Sequence, residues 1–441
     1  MSNHEVYVPT PREVLAATEK PLPRSLVTVS AVLAAIGAIV FILGAAMGQD
    51  RTWQALLFNW LFFASVSQAA VVIVAVQRIA TARWSRPIVR MLEGYVAFLP
   101  VAFLLLILIF IGRKHIFPWA TGGLPDVAEK HQYLNGTFLI SRDLVLFGVL
   151  TWLSLWLVAK SLRLDAGLFP DAGAAWARGL REWLRRDFRD ERREIFRVHT
   201  VQGRLAVLIA LGYGFFYSVF SWDLSMSLDT HFQSTMYGWW FFMGAWLGAV
   251  MTWSLLVMWW RRFLRADELI TEHHFHDLGK FAFAFTAFWG YLTFAQYLVI
   301  WYGNMPEETH WMYLRLIHPW MPITVAIVFL LFVIPFFGLL SRAAKVYLPT
   351  FFAFAACSVV GLWLMRYIEV YPSLHVQSKG APFGVWEIGV TLGFLGIWGL
   401  CYAAFMNAFP RMRVTMMTSP YRDEVQVPFD PETLEPLPAH E

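Results

Sequence analysis

Apolar positions in this chain neither alternate nor form a narrow stripe. They run on almost uninterrupted, ten times over, at residues 25 to 48, 54 to 79, 88 to 112, 138 to 161, 204 to 226, 236 to 260, 277 to 301, 320 to 342, 347 to 371 and 384 to 409. About 20 apolar residues rising 1.5 Å each cross the ~30 Å hydrocarbon core of a bilayer. Each run is therefore read as a membrane-crossing helix, because an open backbone facing lipid leaves its polar groups unpaired. The fold class this predicts is an all-α polytopic membrane protein. The first run exceeds the roughly 7 to 15 apolar residues of a signal-peptide core and is read as a retained span.

Composition supports the same class. Of 441 residues, 58% are apolar, 17% aromatic and 15% charged, where soluble chains carry about 25% charged residues. The layout is a polar tail at 1 to 24, with Pro9, Pro11, Pro21 and Pro23, then a membrane domain at 25 to 409, then a tail at 410 to 441. The second tail holds six prolines and several acids. It is expected to be extended, on the surface or around a partner.

Basic residues orient the chain. The N-terminal tail, the loops after spans two, four, six and eight, and the C-terminal tail hold about 26 Lys and Arg, against about six in the alternate loops. Both termini are thereby placed in the cytoplasm. Nine of these arginines lie between Ser161 and Gly203. There Trp176, Leu180, Trp183, Leu184 and Phe188 recur at helical spacing, so the 162 to 203 connection reads as an amphipathic helix in the headgroup layer, a lipid anchor or a docking site. The net charge of +4 is accounted for by this asymmetry, and nothing in the chain points to nucleic acid. With Cys357 and Cys401 as its two cysteines, the chain lacks the thiolates for a disulfide framework, a zinc site or an iron–sulfur cluster.

A short echo links Gly94-Tyr95-Val96-Ala97-Phe98 in span three with Gly290-Tyr291-Leu292-Thr293-Phe294 in span seven. An offset of four spans would pair spans two to five with spans six to nine as parallel repeats.

All twelve histidines fall in tails, loops or at span ends, so the paired axial ligands of a membrane cytochrome b are missing. No P-loop, H-E-x-x-H or G-x-S-x-G signature occurs. What remains is a set of ionisable residues in or near the spans, each costly in hydrocarbon. Arg142, Asp143, Asp223, Arg366, Glu369 and Glu387 fall toward the outer side, and Glu93, Asp277 and Lys280 toward the inner side. Between them lie Asn59, Ser65, Ser67, Gln68, Tyr213, Tyr217, Thr286, Tyr291, Thr293, Gln296 and Tyr297, able to hold water or pass protons. Thr286, Gly290, Thr293 and Tyr297 share one helical face. Arg142 with Asp143, and Arg366 with Glu369, are equally readable as ion pairs that lock helices, and Asp277 with Lys280 as a solvated pair at a helix entry. Asp223 has no cation near it in sequence.

Two stretches are more specific than composition: SWDLSMSLDTHFQSTMYGWWFF at 221 to 242 and HDLGKFAFAFTAFWGYLTFAQYLVIWYGNMPEE at 276 to 308. With the ten-span layout they resemble the second, F-type NrfD-like membrane subunit of bacterial alternative complex III, a quinol:electron-acceptor oxidoreductase. The resemblance implies two four-helix bundles flanked by one peripheral helix at each end. It implies as partners a homologous NrfD-like membrane subunit, an extrinsic iron–sulfur subunit related to molybdopterin enzymes, multihaem and monohaem cytochromes c, and small membrane subunits. Haem c and iron–sulfur clusters would then belong to partners, and electrons from a menaquinol-type quinol would pass to cytochrome c, a copper protein or a terminal oxidase. A quinol pocket between helices near the outer face would involve Asp143, Asp223, Gln296, Tyr297 and Arg366. The chain departs from the family in having no histidine in the outer third of a span to take a quinol proton, which favours the homologous subunit as the main quinol site.

The expected function is a membrane subunit without a redox centre or metal of its own, which supports quinol oxidation. It would supply a proton path through Glu93, Asp277 and Lys280 on the inside, Tyr291 and Thr293 between, and Asp143, Asp223, Glu369 and Glu387 outside. Rival readings are a secondary transporter, which predicts helix breaks at matching positions in the two repeats, and a passive scaffold.

Overall fold

The computed structural model describes residues 9–18, 20–125 and 128–423. Among these residues, ten helices are long and apolar enough to cross a membrane: α1 (Arg24–Ala46), α2 (Asp50–Ile79), α3 (Val89–Ile111), α4 (Gly136–Leu168), α5 (Glu191–Leu228), α6 (Met236–Leu264), α7 (Glu272–Gly303), α8 (Met321–Gly338), α9 (Leu348–Leu374) and α10 (Val385–Ala408). The protein is thus an all-α, multi-pass membrane protein. Successive helices alternate in direction. One end of the molecule, the loop face, carries the connections at 47–49, 112–135, 229–235, 304–320 and 375–384, and the other, the arginine face, carries the rest.

Helices α2 to α5 pack as one four-helix bundle and α6 to α9 as a second, joined where α6 and α9 lie against α2 and α5. The remaining two helices do not flank the bundles one at each end. Helix α1 lies along α10, and α10 rests on α2 and α3. Glycine permits this: a Cβ built on Gly37 would fall 2.1 Å from the Gly393 Cα, and one on Gly396 would fall 2.3 Å from the backbone nitrogen of Ala34. Without a solvent-driven hydrophobic force in lipid, such close backbone approach supplies the attraction between helices.

Helix α2 is enclosed along its length. Polar residues at its centre bond to neighbouring helices: Asn59 donates to Ala55 O of its own helix and accepts from Trp363 Nε1, Gln68 Nε2 donates to Ser154 Oγ at 2.8 Å, and Ser67 Oγ accepts from Trp398 Nε1 at 3.0 Å. The polar series at the centre of this sequence is packing polarity within the core.

Two sequence expectations need revision at the arginine face. Helix α4 continues to Leu168 and α5 begins at Glu191, so the predicted 162 to 203 connection shrinks to 169–190. The helices extend because Leu164, Ile195 and Val198 form a small core of their own and Arg163 grips both oxygens of Glu194 at 2.8 and 3.0 Å. Within the shorter connection, Trp176, Leu180 and Trp183 are exposed, the placement expected of an interfacial anchor. The predicted extended tail is not extended over residues 410–423. Residues 410–423 fold beneath the bundles, with Met412 and Val414 buried and Arg411 donating to Thr18 O at 2.8 Å. The remainder of that tail and residues 1–8 lie outside the described residues.

The repeat is visible in the order of the two bundles, not in the five-residue echo. Gly94–Phe98 forms a 3-10 turn in α3 with Tyr95 buried and bonded to Thr252 Oγ1 at 2.9 Å, whereas Tyr291 sits in unbroken α-helix, 62% exposed.

Gly37→Leu should push α1 away from α10, costing about 1–3 kcal/mol or more as overpacking. Gly214→Ala, where a Cβ meets nothing within 4 Å, should leave stability unchanged. Unfolding of both variants in the same detergent checks the contrast.

Candidate functional site

Of the six carboxyl groups flagged in sequence, all but Asp277 are buried, and Asp223 and Glu387 are paired across helices. In the first bundle the side chain of Asn135 caps α4 by accepting from Thr137 N and Phe138 N, which starts the helix so that Arg142 and Asp143 enter the bundle two turns later. Arg142 is not paired with its neighbour Asp143. It reaches α5, where Nε donates to Asp223 Oδ2 at 2.9 Å and Nη2 lies 2.7 Å from the same oxygen. The guanidinium is stacked 4.2 Å from the centre of the Tyr133 ring and 4.8 Å from that of Phe138. Asp223, which has no cation near it in sequence, thus gains one from a segment 81 residues away.

Asp143 is fully buried beside Asp223, and neither of its oxygens receives a hydrogen bond from a protein donor. Asp223 Oδ1 is likewise without a donor. Two abutting carboxyls facing one guanidinium balance their charge when a single proton sits between them, because two adjacent buried carboxylates repel and lack solvent. Above the cluster, a cavity of about 250 Å³ lies among Lys130, Tyr133, Trp222, Ser227, Asp229 and Gln233, with exposed Glu129 at its rim. Tyr133 borders both cavity and cluster, and its burial, with Asp223 beside it, pushes its phenol well above the usual range. The arrangement can hold one exchangeable proton under an opening at the loop face.

The other loop-face carboxylates are saturated. Arg366 binds both oxygens of Glu369 at 2.8 Å, donates to Phe241 O at 3.0 Å and stacks on the Phe241 ring. Glu387 accepts from Arg51 Nε and Nη2, from Tyr371 OH and from Gly384 N, capping α10 and tying it to α2 and α9. Of the four carboxyls grouped on the outside, the structure brings together Asp143 and Asp223 alone. The five residues grouped as a quinol pocket are divided: Asp143 and Asp223 lie in the first bundle, Arg366 is committed to Glu369, Gln296 lines a cavity of the second bundle, and Tyr297 is 39% exposed on α7.

At the arginine face Glu93 is enclosed by Arg90 and Arg413, and Arg90 also bonds Asp165, which accepts from the backbone and hydroxyl of Thr415. Two guanidiniums and two carboxylates cancel, and the network clamps the C-terminal segment onto α3 and α4. Asp277 and Lys280 pair with each other at 2.6 Å in partly exposed positions at the start of α7, the helix-entry pair that their spacing allowed. They are not joined to Glu93. Between the two faces, Tyr213 donates to Phe242 O, Tyr217 to Ala64 O, Thr286 to Ala282 O, and Thr293 to Trp289 O. Each hydroxyl is committed to a carbonyl.

Sequence reasoning passed over Asp165, Arg413, Arg51 and Arg315. Asp165 fell in a stretch read as a surface connection, Arg413 in a stretch read as a tail, and the others in short loops. The charged partners of the first three lie 75 to 336 residues away, and Arg315 reaches Glu369 O and Ser373 Oγ 54 and 58 residues away, distances at which one sequence carries no signal.

Since one carboxylate is enough to balance Arg142, Asp143→Asn and Asp223→Asn should each cost about 1–2 kcal/mol, while the double variant strands a buried guanidinium and should cost about 0.5–3 kcal/mol more than additivity predicts. Denaturation of the four proteins in lipid nanodiscs measures the coupling, and strict additivity would refute the shared-proton arrangement. Set against models of known protein families the chain matches none, and no curated protein matches it.

Proposed function

We propose that this chain is a membrane subunit of a quinol-oxidising electron-transfer complex of the alternative complex III kind, in a bacterial cytoplasmic membrane with both termini in the cytoplasm. It carries no redox centre and contributes a proton-exchange site at its loop face. The observation that carries this reading is the Asp143–Asp223–Arg142 cluster. Among the described residues it is the buried acidic pair whose charge is not balanced by cations, and it lies beneath a cavity reached from the face where the extrinsic partners would dock. A surplus buried carboxyl is costly unless it works. In the proposed complex, haem c and iron–sulfur clusters reside in the cytochrome and molybdopterin-like subunits, menaquinol is oxidised chiefly on the homologous membrane subunit, and protons released there exchange through Asp143 and Asp223.

Secondary transport is less well supported. It calls for helix breaks at equivalent positions of the two repeats. The breaks here are the 3-10 turn Gly94–Phe98 in α3 and the π-helical turn Phe329–Val333 in α8, which an offset of four spans does not pair.

Purification from native membranes through the chain's own partners should bring c-type haem and an iron–sulfur subunit. In that complex, Asp143→Asn and Asp223→Asn should assemble normally yet lower quinol turnover or its coupling to proton movement about tenfold, within the range general acid–base groups supply. Normal turnover and coupling in both variants would leave the chain a scaffold.

A further inference from the structure

A second cavity, of about 100 Å³, lies in the other bundle, between α6, α7, α8, α9 and the short helix Pro306–Leu316. Its walls include the tryptophans Trp240, Trp289 and Trp311. Three side chains in it are buried without their full complement of bonds, one of them Trp289, whose Nε1 has no acceptor. Gln296 is 5% exposed and its Nε2 has no acceptor, and Arg315 is 4% exposed and its Nε has none. Arg315 is otherwise fixed in place: Nη1 donates to Trp311 O at 2.8 Å, Nη2 to Glu369 O at 3.0 Å and to Ser373 Oγ at 3.3 Å, and the guanidinium stacks 3.6 Å from the centre of the Trp311 ring.

Among the described residues no carboxylate forms an ion pair with Arg315. Glu369 is taken by Arg366, and Asp229, the other acid near it, lies beside His310. Burial draws the guanidinium down to about 10, so it stays charged at neutral pH. The hydroxyl of Thr293, also in the wall, already accepts from Trp240 Nε1 and donates to Trp289 O. The cavity therefore presents unused donors inside aromatic walls. A buried donor left unpaired costs about 1–3 kcal/mol, which an incoming acceptor oxygen would recover. Leu316 and Val328 line the same cavity and are 42% and 41% exposed, between the short helix and the outer side of α8, so the cavity opens toward the surface that lipid covers.

We infer that this cavity binds a lipid-soluble molecule bearing a carbonyl or carboxylate oxygen on an apolar body, with that oxygen accepting from Arg315 Nε and Gln296 Nε2. The inference rests on the second bundle and is independent of the proton site in the first. Two sources carry this chemistry, a fatty-acid carboxylate and a flat ring ketone of the quinone type.

Equilibrium binding of radiolabelled palmitate and of 1,4-naphthoquinone to the full chain in nanodiscs, with empty nanodiscs subtracted, tests the site and separates the sources. Hexadecane and naphthalene, matched in shape but without an acceptor, serve as competitors. Saturable binding of either labelled compound, not displaced by its hydrocarbon counterpart, is expected. Gln296→Leu and Arg315→Gln should each weaken it about tenfold, as loss of a charged or buried hydrogen bond does. Gln296→Leu keeps the shape of the wall, and its thermal unfolding is measured alongside, so the test survives if Arg315→Gln fails to fold. Failure of both compounds to bind, equal displacement by the hydrocarbons, or unchanged affinity in a folded Gln296→Leu would overturn the inference, whatever becomes of the proton site.

Discussion

A guanidinium or carboxylate buried in hydrocarbon costs several kcal/mol unless a counter-charge and hydrogen bonds meet it, and the arrangement of this protein follows from where those partners are found. Arg142 of α4 needs Asp223 of α5, Arg51 of α2 needs Glu387 of α10, and Arg90 of α3 needs Asp165 of α4. Each pair crosses from one helix to another. Helices that are apolar enough to slide against one another in lipid are thereby held in one register and at one depth. The Arg413 pairing with Glu93 extends the same rule to a segment outside the membrane, which is why residues 410–423 fold under the bundles instead of trailing from them.

Where this rule is met, a charged residue is structural. Glu369 and Glu387 have every near donor they can use, and neither has a free oxygen to offer a proton or a ligand. Where it is not met, chemistry is available. Asp143 adds a second carboxyl to a site with a single cation, and Arg315 holds a cation with no carboxylate on it. The two departures lie in different bundles. Their separation follows from the doubled architecture, in which each four-helix bundle encloses its own interior near the loop face.

Helix α2 shows how polarity is used for packing. It has no lipid-facing side, so Asn59, Ser67 and Gln68 are held by tryptophan N–H groups and a serine hydroxyl of neighbouring helices. A stripe of such residues in a sequence resembles a channel lining. Here it is the seam along which α4, α9 and α10 meet the central helix. Tyr291 and Tyr297 illustrate the converse, since they lie on one helix with buried Thr286 yet face outward.

The sequence alone determined the number of crossing helices and their approximate ends, because the thickness of hydrocarbon translates directly into a length of apolar chain. It also marked buried charges within those runs, because a charge there is conspicuous, but passed over Asp165, Arg413, Arg51 and Arg315 outside them. Which charge meets which was decided by tertiary structure. Neighbours in sequence, Arg142 and Asp143, do not pair with each other and instead both meet Asp223 of another helix, while Asp223 and Glu93 are met by residues 81 and 320 positions away. Adjacent residues on a helix diverge by about 100°, so the bond a side chain makes depends on how whole helices are turned and stacked. That is a property of the packed bundle, and it separates the saturated pairs from the two sites left open for function.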